Sequence, residues 1–228
     1  MAIYKSLLKS TFNTRELGGF VTPYGTTKND RIWRSDRLTE YNADDERLLL
    51  EKGLTTLIDM RTDEEAEKYP CAYAGRDGFD YCRYAITEGS MPPKTLEDVP
   101  LSYMAIAQSR EMGFVLRTAA KVKSGVVFFC TAGKDRTGVA AALILSVCDA
   151  DRQALTDDYA LSREYNRERL EAFLAEHPEI DRNVVLANEK SMEGFLTLLY
   201  EKYGSIGGYY DYMGLTGCID AIRRKLVG

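Results

Sequence analysis

Two neighbouring segments restrict the fold more than anything else in the chain. Gly125 to Cys130, GVVFFC, is an unbroken apolar run, and Val139 to Cys148, VAAALILSVC, is apolar on every side. A strand without alternation belongs inside a parallel sheet covered on both faces. A helix that is apolar all round must itself be buried. Strand, short loop and buried helix in succession therefore predict layers of helix packed on sheet.

The rest of the chain supplies the remaining layers. FVTPYGTTK reads as a hairpin and Arg31 to Arg34 as a strand. Asn42 caps a helix that should stop at Gly53, and Leu54 to Met60 follows as a buried strand. Thr62 and Glu65 form a capping-box pattern at a helix start. Phe79 to Ala85 is a further strand and Ser102 to Lys123 a long helix. Between them EGSMPPKTLEDVP, Glu88 to Pro100, holds three of the six prolines and reads as a long loop, of a length often found in lids and binding loops but also in merely mobile segments. Helices are expected at Asp151–Tyr159, Ser162–Glu176 and Glu189–Tyr203, and after a Thr216 cap from Gly217 to Val227. The fold class is α/β, a central mostly parallel sheet flanked by helices, and 1–228 is expected to be one domain.

Composition excludes several functions. Thirty Lys and Arg stand against thirty-five Asp and Glu, a net charge of -5, so no nucleic-acid partner is expected, since such binders carry a basic surplus. No apolar run approaches the ~20 residues that cross a bilayer, so no stable membrane insertion is expected. Lacking a secretory signal pattern, the chain is expected in the cytoplasm. The five cysteines show no C-x-x-C spacing, and no grouping of Cys and His suits a metal. The sole histidine, His177, precedes Pro178 and reads as the end of a helix rather than a catalytic base.

The chemistry lies in Cys130-Thr131-Ala132-Gly133-Lys134-Asp135-Arg136-Thr137. Ligands of open α/β sheets bind beyond the carboxyl ends of strands. A helix start there offers unpaired N–H groups and a partial positive charge, which suit an anion, phosphate above all. The same dipoles favour a thiolate at Cys130, and Arg136 adds a fork for two phosphate oxygens. A Walker A loop does not fit: Phe128 stands where its first glycine should be and Asp135 where Ser or Thr should follow Gly133-Lys134. Cys71, Cys82, Cys148 and Cys218 read as ordinary core cysteines. That reading leaves the Gly-Lys-Asp-Arg after Cys130 without a reason.

Cys130 to Arg136 resembles the Cys-x5-Arg loop of the protein tyrosine phosphatase superfamily, and CTAGKDRTG is most similar to a bacterial tyrosine/dual-specificity branch that includes phosphoinositide phosphatases. NTRELGGF, WRSDRL, LIDMRTDEE and MEGFLTLLYEKYGSIGGYYDYMGLT resemble segments of the same branch, so the likeness runs from Asn13 to Thr216.

The resemblance implies a cysteine-based tyrosine phosphatase-like fold and hydrolysis of phosphomonoesters through a phosphocysteine. The substrate would be phosphotyrosine, with phosphoserine/threonine or phosphoinositides as further candidates, on a phosphorylated protein or a lipid. Cys130 would be the nucleophile, Arg136 and the Thr131–Lys134 loop the phosphate cradle, and Asp135 the general acid. Asp98, in the proline-rich loop, is the alternative acid. Thr137 either bonds the sulfur or caps the helix. Asp59 and Arg61, like Arg34 and Asp36, either touch substrate or support the loop.

No metal or organic cofactor is implied, and the oligomeric state is not legible. Phe129 replaces the histidine that usually precedes the cysteine, and weaker catalysis is expected from it. Two rival readings are a phosphate-binding module without turnover and a redox protein using Cys130 as its thiol.

Overall fold

The computed structural model describes residues 4–88, 91 and 93–228. Its larger sheet is built from β1 (Arg15–Glu16), β4 (Ile32–Ser35), β5 (Thr56–Asp59), β6 (Asp80–Arg83) and β7 (Val126–Phe129), in the order β1-β4-β7-β5-β6. The last four are parallel and β1 runs antiparallel along the β4 edge. The hairpin of β2 (Val21–Thr22) and β3 (Gly25–Thr26) forms a separate two-stranded sheet, as its Pro-Tyr-Gly centre predicts. The fold is therefore α/β with a mostly parallel central sheet flanked by helices.

The middle strand β7 is buried throughout, and its side chains alternate between two apolar layers. Val126 and Phe128 join the larger cluster, which contains α5 (Asp135–Val147), α3 (Val99–Gln108), α4 (Arg110–Lys121) and α9 (Glu189–Tyr203). Val127 and Phe129 join the smaller one with Trp33, Leu57 and Leu49 of α1 (Ala43–Glu51). Every residue of α5 after Asp135 is buried. Asn42 caps α1 through its side chain, and Thr62 with Glu65 closes the capping box of α2 (Asp63–Lys68).

Several boundaries differ from expectation. The helix foreseen at Ser102–Lys123 is two helices, because Ser109 is extended (ψ 145°) and its side chain accepts from Met112 N–H to start α4. The first of them begins at Val99, inside the stretch read as loop; Gly89, Ser90 and Pro92 of that stretch lie outside the described residues. Helix α6 (Arg152–Tyr165) runs on past Tyr159, and the break falls at Asn166 before α7 (Arg167–Glu176). The short helices α8 (Arg182–Val185) and α10 (Ile206–Tyr212) were not foreseen. Thr216 is not a cap: α11 (Thr216–Leu226) starts on it, and its hydroxyl bonds Asp211 at 3.1 Å. His177 does end α7, its ring 4.6 Å from that of Phe173.

Candidate active site

Cys130 closes β7 and is 2% exposed. Beyond it the loop turns sharply at Gly133, where φ is +67° and an added Cβ would lie 2.7 Å from Ser35 O and Asp36 N. No other residue type meets both conditions without strain.

The loop is held from outside by its carbonyls. Arg37 N–H donates to Thr131 O at 3.4 Å. Asn13 Nδ2 donates to Ala132 O and Gly133 O, both at 3.0 Å, and Asn166 Nδ2 also donates to Ala132 O at 3.0 Å. Arg34 Nη2 reaches Gly133 O at 2.9 Å. In a trans peptide the N–H points opposite to the C=O. Tying these three carbonyls outward therefore turns the N–H groups of Ala132, Gly133 and Lys134 inward, at the start of a buried helix.

The segments NTREL and WRSDR supply most of that support. Arg34, fully buried, also pairs with Asp158 of α6. Arg15 bonds the same carboxylate at 2.7 Å, the Asp158 carbonyl at 2.6 Å and Asn13 Oδ1. Burial opposes the charge on Asp158, yet the two arginines hold its carboxyl below the usual range. Burial and the nearby Arg15 bring Arg34 down to about 10 despite Asp158, so it stays charged at neutral pH. Asp36 accepts from Phe12 and Asn13 N–H at 3.1 and 2.8 Å and from Arg169 at 2.8 Å. Arg34 and Asp36 thus support the loop.

Arg136 lies in the first turn of α5 and is 4% exposed. Its Nη1 and Nη2 grip the carboxylate of Glu65 at 2.6 and 2.9 Å, and Nη1 also lies 3.2 Å from Met60 O. Glu65 accepts in addition from Thr131 Oγ1 and from Thr62 N–H. Burial works against its ionisation, but the Arg136 bond and charge outweigh it and hold the carboxyl at about 2. Among the described residues, Arg136 Nε and Thr137 Oγ1 are buried with no partner, as are Arg34 Nε and Asn166 Oδ1 behind the same loop. Such atoms are rare because each costs free energy, and a bound group is one way to satisfy them. Since Thr137 Oγ1 makes no bond to the helix start, it does not act as a cap.

Asp135 is partly exposed; its Oδ1 accepts from Tyr103 at 2.5 Å and lies 3.2 Å from Lys134 Nζ. Lys134 also donates to Val185 O at 2.7 Å. Asp98 is exposed at the start of α3, bonded to Thr95 at 2.9 Å, and is not part of the cleft beside the loop. Asp59 and Arg61 are not on the rim. Both are fully buried, Arg61 Nε and Nη2 bond both carboxylate oxygens at 2.6–3.1 Å, and Tyr81 adds a bond to Asp59 at 2.8 Å. The guanidinium lies 5.5 Å from the ring of Phe129, in the layer opposite α5. Of the two alternatives for this pair, full burial favours the structural one: it braces the end of β5.

A cleft of about 280 Å³ opens beside Thr131, Ala132, Lys134 and Asp135. Its far wall is Leu170 and Phe173 of α7 with Val185 and Ala187, and Arg163, Asn166 and Arg169 edge it. Among the described residues no group of three or more His, Cys, Asp or Glu is placed to hold a metal ion. No helix among them is long and apolar enough to cross a membrane.

Residues 7–228 match the sequence model of the tyrosine phosphatase family. The chain belongs to that family. A tyrosine-protein phosphatase of Nostoc commune is 28% identical over 200 residues, 79% of this chain and 67% of the relative. A chain of Cupriavidus necator, provisionally named a tyrosine-protein phosphatase, is 30% identical over 180 residues, 72% of this chain and 64% of its own length. The chain thus spans about two thirds of the length of the curated relatives it matches. The crystal structure of P. aeruginosa TpbA covers 75% of this chain and 88% of its own, at 17% identity and a TM-score of 0.40.

Sequence reasoning singled out Cys130, Asp135 and Arg136, which the structure brings to one loop, and gave no role to Glu65, Asn13, Asn166 and Tyr103, whose side chains bond that loop. Glu65 had a signal. Its capping box follows directly on the strand beside β7, which puts the start of α2 on the same rim as the loop.

Proposed function

We propose that the protein is a phosphatase that hydrolyses phosphotyrosine through a phosphocysteine on Cys130. The observation that carries this reading is Arg136 Nε, buried without a partner among the described residues, beside a cysteine in a loop whose carbonyls are tied outward. A phosphoryl group in the loop would accept from that Nε–H and from the inward amides. Glu65 already holds the opposite edge of the guanidinium, so the fork is oriented before substrate arrives.

In the first step the thiolate of Cys130 attacks phosphorus and an S–P bond forms. The bond to the leaving oxygen breaks with its electron pair on that oxygen, which takes a proton from Asp135. In the second step water attacks phosphorus, the Asp135 carboxylate takes the proton, and the S–P bond breaks to return the thiolate and inorganic phosphate. Donors fixed around the equatorial oxygens are worth about 3–4 kcal/mol each when aimed at developing charge. A general acid adds about 10²–10⁴ in rate. Asp135 is favoured over Asp98 for that role because it lines the cleft at the loop. Thr137 Oγ1, with no partner among the described residues, is assigned to the sulfur and the second step.

The apolar wall of Leu170, Phe173, Val185 and Ala187 suits an aryl ring, which favours phosphotyrosine over phosphoserine or phosphothreonine. Against a phosphoinositide, the Lys134 ammonium that would meet further phosphates is engaged by Val185 O and Asp135.

The test is hydrolysis of p-nitrophenyl phosphate by the reduced protein and by Cys130→Ser, with EDTA present. Turnover that persists in EDTA and disappears in the serine variant is expected. Phosphate binding without turnover by the folded wild type would instead favour a binding module. Phosphotyrosine, phosphoserine and phosphoinositide substrates compared side by side would then rank the esters, with phosphotyrosine expected first.

A further inference from the structure

The carboxylate of Asp135 has two unlike oxygens. Oδ1 accepts from the Tyr103 hydroxyl at 2.5 Å and faces Lys134 Nζ at 3.2 Å. Oδ2 makes no such bond among the described residues. The chain continues inward, since Tyr103 and Tyr159 share a hydrogen bond of 2.5 Å, with rings edge to face at 5.9 Å. Both tyrosines are 1% exposed. Three elements therefore converge on one oxygen: α3 through Tyr103, α6 through Tyr159 behind it, and the start of α5.

Buried tyrosines elsewhere in this protein are satisfied more simply. Tyr209 donates to Ala107 O at 2.6 Å and Tyr210 to Leu143 O at 3.4 Å. A hydroxyl that needed only a partner would be served by such a carbonyl. Tyr103 instead reaches Asp135, the carboxylate that lines the cleft beside the thiol loop among the described residues. A hydrogen bond to one carboxylate oxygen fixes the rotamer and leaves the proton on the other. Placement matters at this level, since a misplacement of about 1 Å at a reacting group can cost about 10²-fold.

We infer that Tyr103, backed by Tyr159, is a positioning residue for proton transfer, pinning Oδ1 of Asp135 so that Oδ2 faces the departing oxygen. The inference rests on the reading of Asp135 as general acid. As the ester bond breaks, the Oδ2 proton moves to the leaving oxygen. The carboxylate left behind is held by the Tyr103 hydroxyl and the Lys134 ammonium until water returns a proton in the second step. Residues of α3 thereby bear on the acid even though Asp98, at its start, does not line the cleft.

Leaving groups separate this role from a structural one. Phenol, with a pKa of about 10, needs a proton as it departs; the more acidic p-nitrophenol leaves without much help. Measured on phenyl phosphate, kcat/KM is expected to fall about 10²-fold or more in Asp135→Asn and about tenfold in Tyr103→Phe. On p-nitrophenyl phosphate both losses should shrink to about twofold, and competitive inhibition by inorganic phosphate should not change. Tyr159→Phe, one link further out, is expected to show a smaller loss of the same pattern, and it reads the same chain if Tyr103→Phe does not fold. Equal losses on the two esters, or weakened phosphate inhibition, would make Tyr103 a packing residue and overturn the inference. So would an unchanged Tyr103→Phe beside an Asp135→Asn that discriminates the esters. An Asp135→Asn that loses nothing on phenyl phosphate would overturn the acid assignment itself.

Discussion

Glu65 shows how one side chain can serve two structures. Its carboxylate closes the capping box of α2 and at the same time orients Arg136 and Thr131. Glu65→Gln keeps the shape and loses the charge, and a hydrogen bond to a charged group is worth about 1.5–3 kcal/mol. For a group still partly in water the lower end applies, so kcat/KM is expected to fall about tenfold. The pH dependence follows from the depressed carboxyl. Its contribution is fully present above the unfolded value of about 4.3 and is lost only as pH falls through about 2. Wild type and Glu65→Gln should therefore have pH–rate profiles of the same shape between pH 5 and 8, one displaced below the other. Phe129 calls for the opposite kind of test. Its ring is fully buried in the smaller apolar cluster, facing away from the α5 layer. Phe129→His would set a polar imidazole in that apolar cluster beside the Arg61 guanidinium, and a loss of about 1–3 kcal/mol in urea unfolding is expected. No gain in kcat/KM should accompany it.

At the scale of elements, the break at Ser109 decides what two helices can reach. Helix α3 packs on α5 and α9, while α4 packs on α11 as well as α5. The extended residue between them lets the helix that carries Tyr103 to Asp135 take a different direction from the one that packs on α11. Helical periodicity runs through Ser102–Lys123 without a proline, so a pattern of apolar spacing has no means of finding the joint. Ser109 marks it by chemistry instead, accepting from Met112 N–H at 3.1 Å. Ser109→Ala is expected to cost about 1 kcal/mol by loss of that cap, measured as a lower urea midpoint with an unchanged slope.

Across the whole molecule, Asp158 joins parts of the chain more than a hundred residues apart. It receives Arg15 from the N-terminal segment and Arg34 from β4, and these two hold Asn13 and the Gly133 carbonyl in place. Removing one member of a buried ion cluster leaves uncompensated charge, at a cost of about 3–5 kcal/mol. Asp158→Asn should therefore unfold at markedly lower urea and, where folded, bind inorganic phosphate more weakly. The strands and most helices were legible because their signals are local: unbroken apolar runs, a cap, a turn of Pro-Tyr-Gly. The thiol loop was legible for the same reason, since Cys130, Gly133, Asp135 and Arg136 are bound to one another by covalent spacing and by the strand and helix on either side. The same spacing put Asp59 and Arg61 at the end of a strand but not on which side of it, and burial placed them beneath the rim. What the chain determines alone is the run from Cys130 to Arg136, set between a buried strand and a buried helix, and the layers that carry it. Only the tertiary structure decided that Glu65 grips the arginine, that Asn13 and Asn166 tie the loop carbonyls outward, and that Tyr103 reaches Asp135. Those contacts depend on strand order and helix packing, which bring distant residues together by burying apolar surface and leave no periodic trace in the sequence.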